Sequence, residues 1–468
     1  MKRKSDLRAY QERVATQLYE FDNRLVAIRM GGGKTAAALT AIRELIDNGV
    51  IRHCLVIAPK RVAALTWPSE IAEWEHLFGL RYQVLSGTPQ QRLHMLLESP
   101  NYDVTLCGIN LLPWLMAEID TTPPDHPLMD MLLIDEVSKL RDPTGSWSKS
   151  MAKRSHRWKM VHGMSGTLRP SSAMDLFMPS KIVLRQESPW QGSFYKWRDQ
   201  HFKTTDWSGF KWAPMPGMDE KLNAELAPLV ITLDDNELPQ LPELNIIFDE
   251  VELPPHARAR YHAMENTLVS GNVFAANAGV MTGKLGQIAN GFAYLPGGEV
   301  ERIHDEKTEW LREMTDAATA PTMIVYEYKE DLDVIQDLLG DRVTLLGGSD
   351  DKTAAATLDA WNRKEIPFLT LHPGAAGHGI NAQHGGSDQL WMSPCWSPEL
   401  WAQTIARLHR SGQTQPVFIR VCKARFTVDK MKIDRVHFKM TAEAAFEAYL
   451  REHHYGGEKR GASRSGKR

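Results

Sequence analysis

One stretch limits the folds open to this chain more than any other: Arg29-Met30-Gly31-Gly32-Gly33-Lys34-Thr35, set between an apolar strand pattern and a helical one. The run Arg24–Ile28 predicts a strand. The alanine-rich stretch Ala36–Asn48 predicts a helix, with Gly49 as its C-cap. Glycines let the backbone wrap closely around phosphates, and a helix N-terminus offers oriented N–H groups at the positive end of its dipole. In such a turn Lys34 would reach the terminal phosphates and the Thr35 hydroxyl would hold Mg²⁺. The strict phosphate-loop pattern has a further glycine where this chain has Ile28. By itself the motif therefore leaves a chance glycine-rich turn open.

A chain of 468 residues predicts two or more domains, each able to bury a core. Its 43% hydrophobic and 24% charged content is ordinary for a globular protein. The net charge of −3 excludes a wholesale basic protein, so nucleic-acid contacts would come from local patches. Four scattered cysteines (Cys54, Cys107, Cys395 and Cys422) form no CxxC pair, which predicts a reducing compartment without disulfide framework or zinc cluster. Met1-Lys2-Arg3-Lys4 precedes no apolar run, no window reaches 18 uncharged apolar residues, and no repeat of fixed period occurs. The expectation is a cytoplasmic protein with no membrane partner.

Leu7-Arg8-Ala9-Tyr10-Gln11 opens an amphipathic helix running to about Tyr19. It is either a packing helix or the carrier of a glutamine whose amide reads an adenine edge. Beyond the glycine turn, buried-type runs fall at His53–Ala58, Asp103–Ile109, Met131–Ile134 and Trp158–Met164. Short apolar strands separated by helices predict a parallel sheet covered on both faces. Polar chemistry gathers at the strand ends, at Pro59-Lys60, Asp135-Glu136 and Ser165-Gly166-Thr167, where open α/β sheets bind ligands. Asp135 could complete a Mg²⁺ shell while Glu136 polarises the attacking water, a division that needs two carboxylates.

Between Ser188 and Trp212, Trp190, Phe194, Tyr195, Trp197, Phe202, Trp207, Phe210 and Trp212 interleave with Lys196, Arg198, Lys203 and Lys211. These aromatics could stack bases or pack a helical protrusion onto the first lobe, and the second reading is preferred. Acidic, proline-bearing Asp234–Glu243 marks a lobe boundary. Strands are expected next at Asn245–Leu253, Thr322–Tyr326, Val343–Leu346, Phe368–Leu371 and Gln389–Met392, with a terminal pair around Val417–Phe426. This second lobe has no Gly-Lys-Thr. It offers Gly374-Ala375-Ala376-Gly377-His378-Gly379-Ile380-Asn381 after a strand, and Gln403–Gln413 on an expected helix where Arg407 and Arg410 share a face. Such guanidinium groups can neutralise charge on a transferring phosphoryl.

In this order the motifs resemble those of the Swi/Snf-type ATPases of helicase superfamily two, in their compact bacterial or phage form, over roughly residues 5 to 425. The resemblance makes Leu7–Gln11 the adenine-reading segment, with Gln11 its reader. It makes Met30–Thr35 the phosphate loop, which accounts for the missing first glycine. Ala58-Pro59-Lys60 with Trp67 and Glu70 resembles the segment whose region faces the nucleic-acid strand. Phe194, Trp197 and Phe202 match a packing segment, and Leu241-Pro242-Glu243 with Tyr261 falls where the family crosses between lobes.

The implied fold is two tandem RecA-like α/β parallel-sheet lobes with a small helical protrusion and linker. Residues 1–235 would form lobe 1, with the protrusion at about 185–230. Residues 236–448 would form lobe 2, and 449–468 a basic flexible tail. ATP would lie between the lobes and duplex DNA across both. Gly31, Gly32, Gly33, Lys34 and Thr35 would hold phosphate and Mg²⁺, and Asp135 would complete the metal shell. Glu136 would activate water, and Arg407 and Arg410 would act as arginine fingers. Gly377 and Gly379 would admit ligand closely, and Ser165, Gly166, Thr167 and Gln403 would couple hydrolysis to movement. Pro59, Lys60, Asn381 and Trp396 would contact nucleic acid.

Some positions depart from the family pattern: Val137-Ser138 after the acids, His372-Pro373 before Gly374, and Ser393 and Cys395 near Trp396. They bear on nucleic-acid contacts in lobe 2 rather than on ATP hydrolysis. The expected activity is sequence-independent duplex translocation, with a strand-separating DNA or RNA helicase as the alternative. A non-hydrolysing DNA-binding scaffold is the reading of another class. An unidentified protein partner stays open.

Overall fold

The computed structural model describes residues 1–28, 31–166, 168–169, 172–205, 212–232, 237, 240–267, 269–270, 273–274, 278–346, 351–376 and 381–438. The chain divides into two compact units, Met1–Gln240 and Leu241–Arg468.

The first unit is built on a seven-stranded parallel sheet. Its strands are β1 (Asn23–Ala27), β2 (Cys54–Ala58), β3 (Tyr82–Val84), β4 (Val104–Gly108), β5 (Met131–Asp135), β6 (Met160–Ser165) and β7 (Val230–Thr232), in the spatial order β3-β4-β2-β5-β6-β1-β7. Strands buried on both faces read as near-continuous apolar runs, and the alternation then decides which layer each side chain joins. On β5, Met131 and Leu133 enter the core beneath helices α1 (Ala9–Glu20) and α2 (Lys34–Asp47). Leu132 and Ile134 enter the opposite core with Leu115, Met151 and Phe177. Five expected strands are present with ends displaced by one or two residues; β3 and β7, three residues each at the sheet edges, were not anticipated. α2 begins two residues before the expected Ala36 and ends at Asp47, followed by Gly49 at φ 68°.

The aromatic stretch packs rather than stacks. Trp190, Trp197 and Phe202 are buried in the same core as Phe177, with ring centroids 4.9–5.3 Å from neighbouring rings. Tyr195 is the exposed member. Trp207, Phe210 and Lys211 lie outside the described residues, as do Asp234 and Asp235 of the boundary segment.

The second unit holds a six-stranded parallel sheet. Its strands are β8 (Leu244–Val251), β9 (Thr322–Val325), β10 (Val343–Leu345), β11 (Phe368–Leu371), β12 (Asp388–Trp391) and β13 (Val417–Ala424), in the order β8-β13-β12-β9-β11-β10. The expected terminal pair is instead the single strand β13, which runs parallel to β8 over eight residues. No reversal occurs inside it because its residues meet β8 on one side and β12 on the other. Tyr261, on the helix Pro255–Thr267, is fully buried and its hydroxyl accepts from the Val428 amide at 2.7 Å. The tail residues 449–468 lie outside the described residues. No helix among the described residues is long and apolar enough to cross a membrane.

Candidate active site

The glycine turn follows β1, whose last carbonyl neighbourhood it closes. Gly31 and Gly33 have φ of 78° and 69°, a region that side-chain-bearing L residues rarely adopt. Gly33 is the N-cap of α2, and no side chain caps that end, which suits its first-turn N–H groups to an anion. Two residues of α1 hold the turn from behind. The Tyr10 hydroxyl donates to the Gly32 carbonyl at 3.0 Å, and Gln11 Nε2 donates to the Gly33 carbonyl at 3.2 Å. Gln11 Oε1 accepts from the Arg8 amide at 3.0 Å. A Cβ at Gly33 would stand 2.2 Å from Gln11 Nε2 and would displace that amide, and the φ of 69° strains any side-chain-bearing residue there. Lys34 Nζ donates to the Ile28 carbonyl at 2.6 Å. Arg29 and Met30 lie outside the described residues.

The paired acids stand at the end of β5. Asp135 is 8% exposed, and the buried Trp67 indole donates to its Oδ2 at 3.1 Å. Burial pushes the Asp135 carboxyl up to about 6; Lys34 opposes the rise and Glu136 adds to it. Glu136 has φ 67°, a left-handed conformation that costs a non-glycine residue about 1–2 kcal/mol. Its side chain is fixed by two hydroxyls: Ser138 and Ser165 donate to Oε1 at 2.7 and 2.5 Å. Ser165 ends β6, and Gly166 follows it at the same edge; Thr167 lies outside the described residues. Pro59 is buried just past β2, and Lys60 beside it is exposed.

In the second unit one expectation needs correction. Arg407 and Arg410 are not on a helix, because the helix Pro398–Ile405 ends before them. The next residues form tighter turns, with the Arg407 amide on the Thr404 carbonyl and the Leu408 amide on the Ile405 carbonyl, both at 3.1 Å. Three distant anchors pull the chain out of helical register. His409 Nε2 bonds to the Pro242 carbonyl at 2.8 Å, and Gln413 Nε2 donates to the Gln383 and Gly386 carbonyls at 3.0 Å each. Gly412 supplies the positive φ, 95°. Arg407 is buried and Arg410 half-buried, so they do not present an equal pair on one face.

Gln403 is fully buried on the helix, with Nε2 on Glu399 Oε1 at 3.0 Å. Asn381 is half-buried, its carbonyl accepting from Asn362 at 2.7 Å. Trp396 is partly buried against Leu253 and Tyr261, with the Lys432 ammonium 5.8 Å from its ring centroid. Gly377 and Gly379 lie outside the described residues.

The structure thus gathers Gln11, Gly31 to Thr35, Asp135, Glu136, Ser165 and Gly166 in unit 1. Sequence reading missed three partners there: Tyr10 behind the loop, Ser138 on Glu136, and Trp67 as the donor to Asp135. Ser138 had a local signal, a hydroxyl two residues past an acid in a turn. Among the described residues no cluster of three or more His, Cys, Asp or Glu could hold a metal, so a cation here would rely on the Asp135 carboxylate, the Thr35 hydroxyl and the ligand's own oxygens.

A relative named putative protein p41, from Acyrthosiphon pisum secondary endosymbiont phage 1, is 30% identical over 457 residues, covering 92% of this chain and 96% of that protein. The CHD3-type chromatin-remodeling factor PICKLE of Arabidopsis thaliana is 21% identical over 485 residues, covering 90% of this chain but 32% of that protein. Among solved structures, the Sulfolobus solfataricus SWI2/SNF2 ATPase core in complex with dsDNA aligns with 93% of this chain and 91% of that chain, at 19% identity and a TM-score of 0.43. A family model described as the SNF2-related domain matches residues 10–288, from the helix carrying Gln11 to well inside the second unit. That span is more than half of the chain, and the chain belongs to the SNF2-related domain family.

Proposed function

We propose that this chain is an ATP-hydrolysing motor stimulated by duplex DNA and moving along it without regard to sequence. The observation that carries this reading is the arrangement at the end of β5: a buried aspartate beside a strained glutamate held by two hydroxyls, with Lys34 near enough to act on the aspartate. Family membership supports nucleotide hydrolysis at this place.

The glycine turn and the α2 N-terminus bind the phosphates, with Lys34 leaving the Ile28 carbonyl for them. Thr35 and Asp135 would hold Mg²⁺, which when bound would neutralise charge on the phosphate oxygens. Glu136 orients and deprotonates the attacking water, its carboxylate fixed by Ser138 and Ser165. Ser165, with Gly166, Thr167 and Gln403, ties that carboxylate to movement of the chain. Arg407 and Arg410 supply positive charge to the transferring phosphoryl, and Gln11 reads the base while holding Gly33. Gly377 and Gly379 let backbone approach the ligand, and Pro59, Lys60, Asn381 and Trp396 touch nucleic acid. Phosphate contacts carry no sequence information, so the motor is sequence-independent. We assign residues 1–235 and 236–448 to the two motor lobes and 449–468 to a basic tail. Four free, buried thiols fit a reducing cytoplasm.

Triplex displacement beside strand displacement tests the reading. Triplex displacement without unwinding is expected. Unwinding without triplex displacement would replace the translocase with a strand-separating helicase.

A further inference from the structure

We propose that Trp67 is a positioning residue linking the strand-end segment Pro59–Lys60 to the Asp135 carboxylate, so that nucleic acid engaged at the first alters the hydrogen bond made at the second. This rests on the nucleic-acid-stimulated ATPase reading above.

Trp67 is fully buried and its indole N–H donates to Asp135 Oδ2 at 3.1 Å. A buried indole needs an acceptor. Trp158 and Trp361 use the Leu128 and Ala382 carbonyls at 2.9 and 2.8 Å, and Trp190 and Trp310 use the Glu225 and Asp249 carboxylates at 2.8 and 3.1 Å. What sets Trp67 apart is that its acceptor is the carboxylate proposed to hold the metal. A donor on one oxygen fixes the rotation of that carboxylate, and with it the oxygen that a cation meets.

The segment leading to Trp67 is unusual in the same direction. Val62–Thr66 is a π-helical turn, and the Trp67 amide bonds back to the Val62 carbonyl. Such turns are rare and concentrate at functional positions, since each holds one residue more than an α-turn. Returning this one to α-helical winding would rotate Trp67 by about 100° and take the indole off Asp135. An α-helical winding of the same turn is the second setting that coupling between the two sites requires.

Its other end starts at Pro59 and Lys60. The Ala63 amide bonds to the Pro59 carbonyl at 2.9 Å, and Lys60 projects outward. A Cβ at Gly108 would stand 3.3 Å from Lys60 Cα, so the Lys60 backbone lies close against the end of β4 where the turn begins. Seven positions thus separate an exposed lysine at a strand end from a donor on the catalytic aspartate, with the π-turn between them.

Trp67→Phe in the full chain keeps the bulk and removes the donor. Basal and duplex-stimulated turnover, Mg²⁺ half-saturation and duplex affinity by fluorescence anisotropy are compared with the parent. The expected result is a duplex-stimulated rate reduced about tenfold more than the basal rate, as for loss of one charge-assisted hydrogen bond. Mg²⁺ half-saturation should rise while duplex affinity is kept. An unchanged stimulation ratio, an equal fall in both rates, or a parallel loss of duplex affinity would overturn the proposal. Should the variant fail to fold, amide exchange across residues 60–73 of the parent chain, with a non-hydrolysable ATP analogue and with or without duplex, decides instead. Duplex-dependent protection within 62–67 supports the link, and indifference there ends it. A parent chain that no nucleic acid stimulates would remove the functional reading itself, whereas a stimulated parent with an indifferent variant removes only the role of Trp67.

Discussion

Each unit places a lysine and an aspartate near the carboxyl edge of a parallel sheet, and the two arrangements are built to opposite effect. In unit 2, Lys307 and Asp429 are both fully buried, 2.7 Å apart. Lys307 also donates to Asn290 Oδ1 at 2.8 Å, and Asp429 accepts from the Ala424 amide at 3.0 Å. Asn290 in turn donates to Asp331, which caps the Tyr328 amide at 2.9 Å, while the buried Lys432 is paired with Glu327. The charges there are spent on one another. In unit 1, Lys34 is half-exposed and donates to a carbonyl, Asp135 is buried with its carboxyl raised to about 6, and Glu136 sits in a strained conformation. A network of paired buried charges gives rigidity, whereas a buried carboxyl raised to about 6 has something to gain from a bound cation.

If that contrast is right, substitutions in the two places should separate activity from stability. Glu136→Gln should lower turnover by at least about 10³-fold while ATP still binds, because the general base and its charge are both lost. Normal steady-state turnover in that variant would place the base elsewhere. Arg410→Ala should cut the rate by about 10³ with a much smaller change in nucleotide affinity. A pure affinity defect, read by titration with a fluorescent analogue, would remove its role as a finger.

Lys307→Met should do the reverse, costing about 3–5 kcal/mol because Asp429 would be left buried without its cation. Urea unfolding measures this, and Lys34→Met should cost under about 1 kcal/mol in the same assay, because Lys34 is half-exposed where Lys307 is fully buried. Equal losses for the two lysines would erase the distinction drawn between the units.

A separate test concerns pH and unit 1. Burial, then Arg24 and Arg185, holds His162 down to about 3; burial, partly offset by a bond to the Tyr102 carbonyl, holds His53 down to about 4. Both stay neutral in the fold below 6.5, where the unfolded chain takes up protons. Their contribution is therefore complete above pH 6.5 and is lost as pH falls toward 4 and 3. Stability should drop by about 1 kcal/mol per pH unit for each histidine across that window. His162→Gln should flatten the dependence, and an unaltered slope would show that this ring does not cause it.

The parts of the molecule that could be read from sequence are the locally encoded ones. Apolar runs marked most sheet strands because burial on both faces demands them, and the glycine turn was visible because positive φ and close approach demand glycine. The adjacent acids were legible because an apolar strand delivers them. What escaped depends on distant partners. β3 and β7 are too short for periodicity to register. The helix before Arg407 stops where Gln413 and His409 pull the chain toward residues 27 to 167 positions away. Trp67 meets Asp135 across 68 positions, and Lys307 meets Asp429 across 122, so neither pairing leaves a local trace.

The central claim is that the site at the end of β5 hydrolyses ATP in response to duplex DNA. ATPase activity measured in parallel with duplex DNA, single-stranded DNA, RNA and no nucleic acid, for the parent chain and Lys34→Ala, tests it most directly. The account predicts the largest stimulation by duplex DNA and its loss in Lys34→Ala. A rate indifferent to nucleic acid, or one that survives Lys34→Ala, would contradict it.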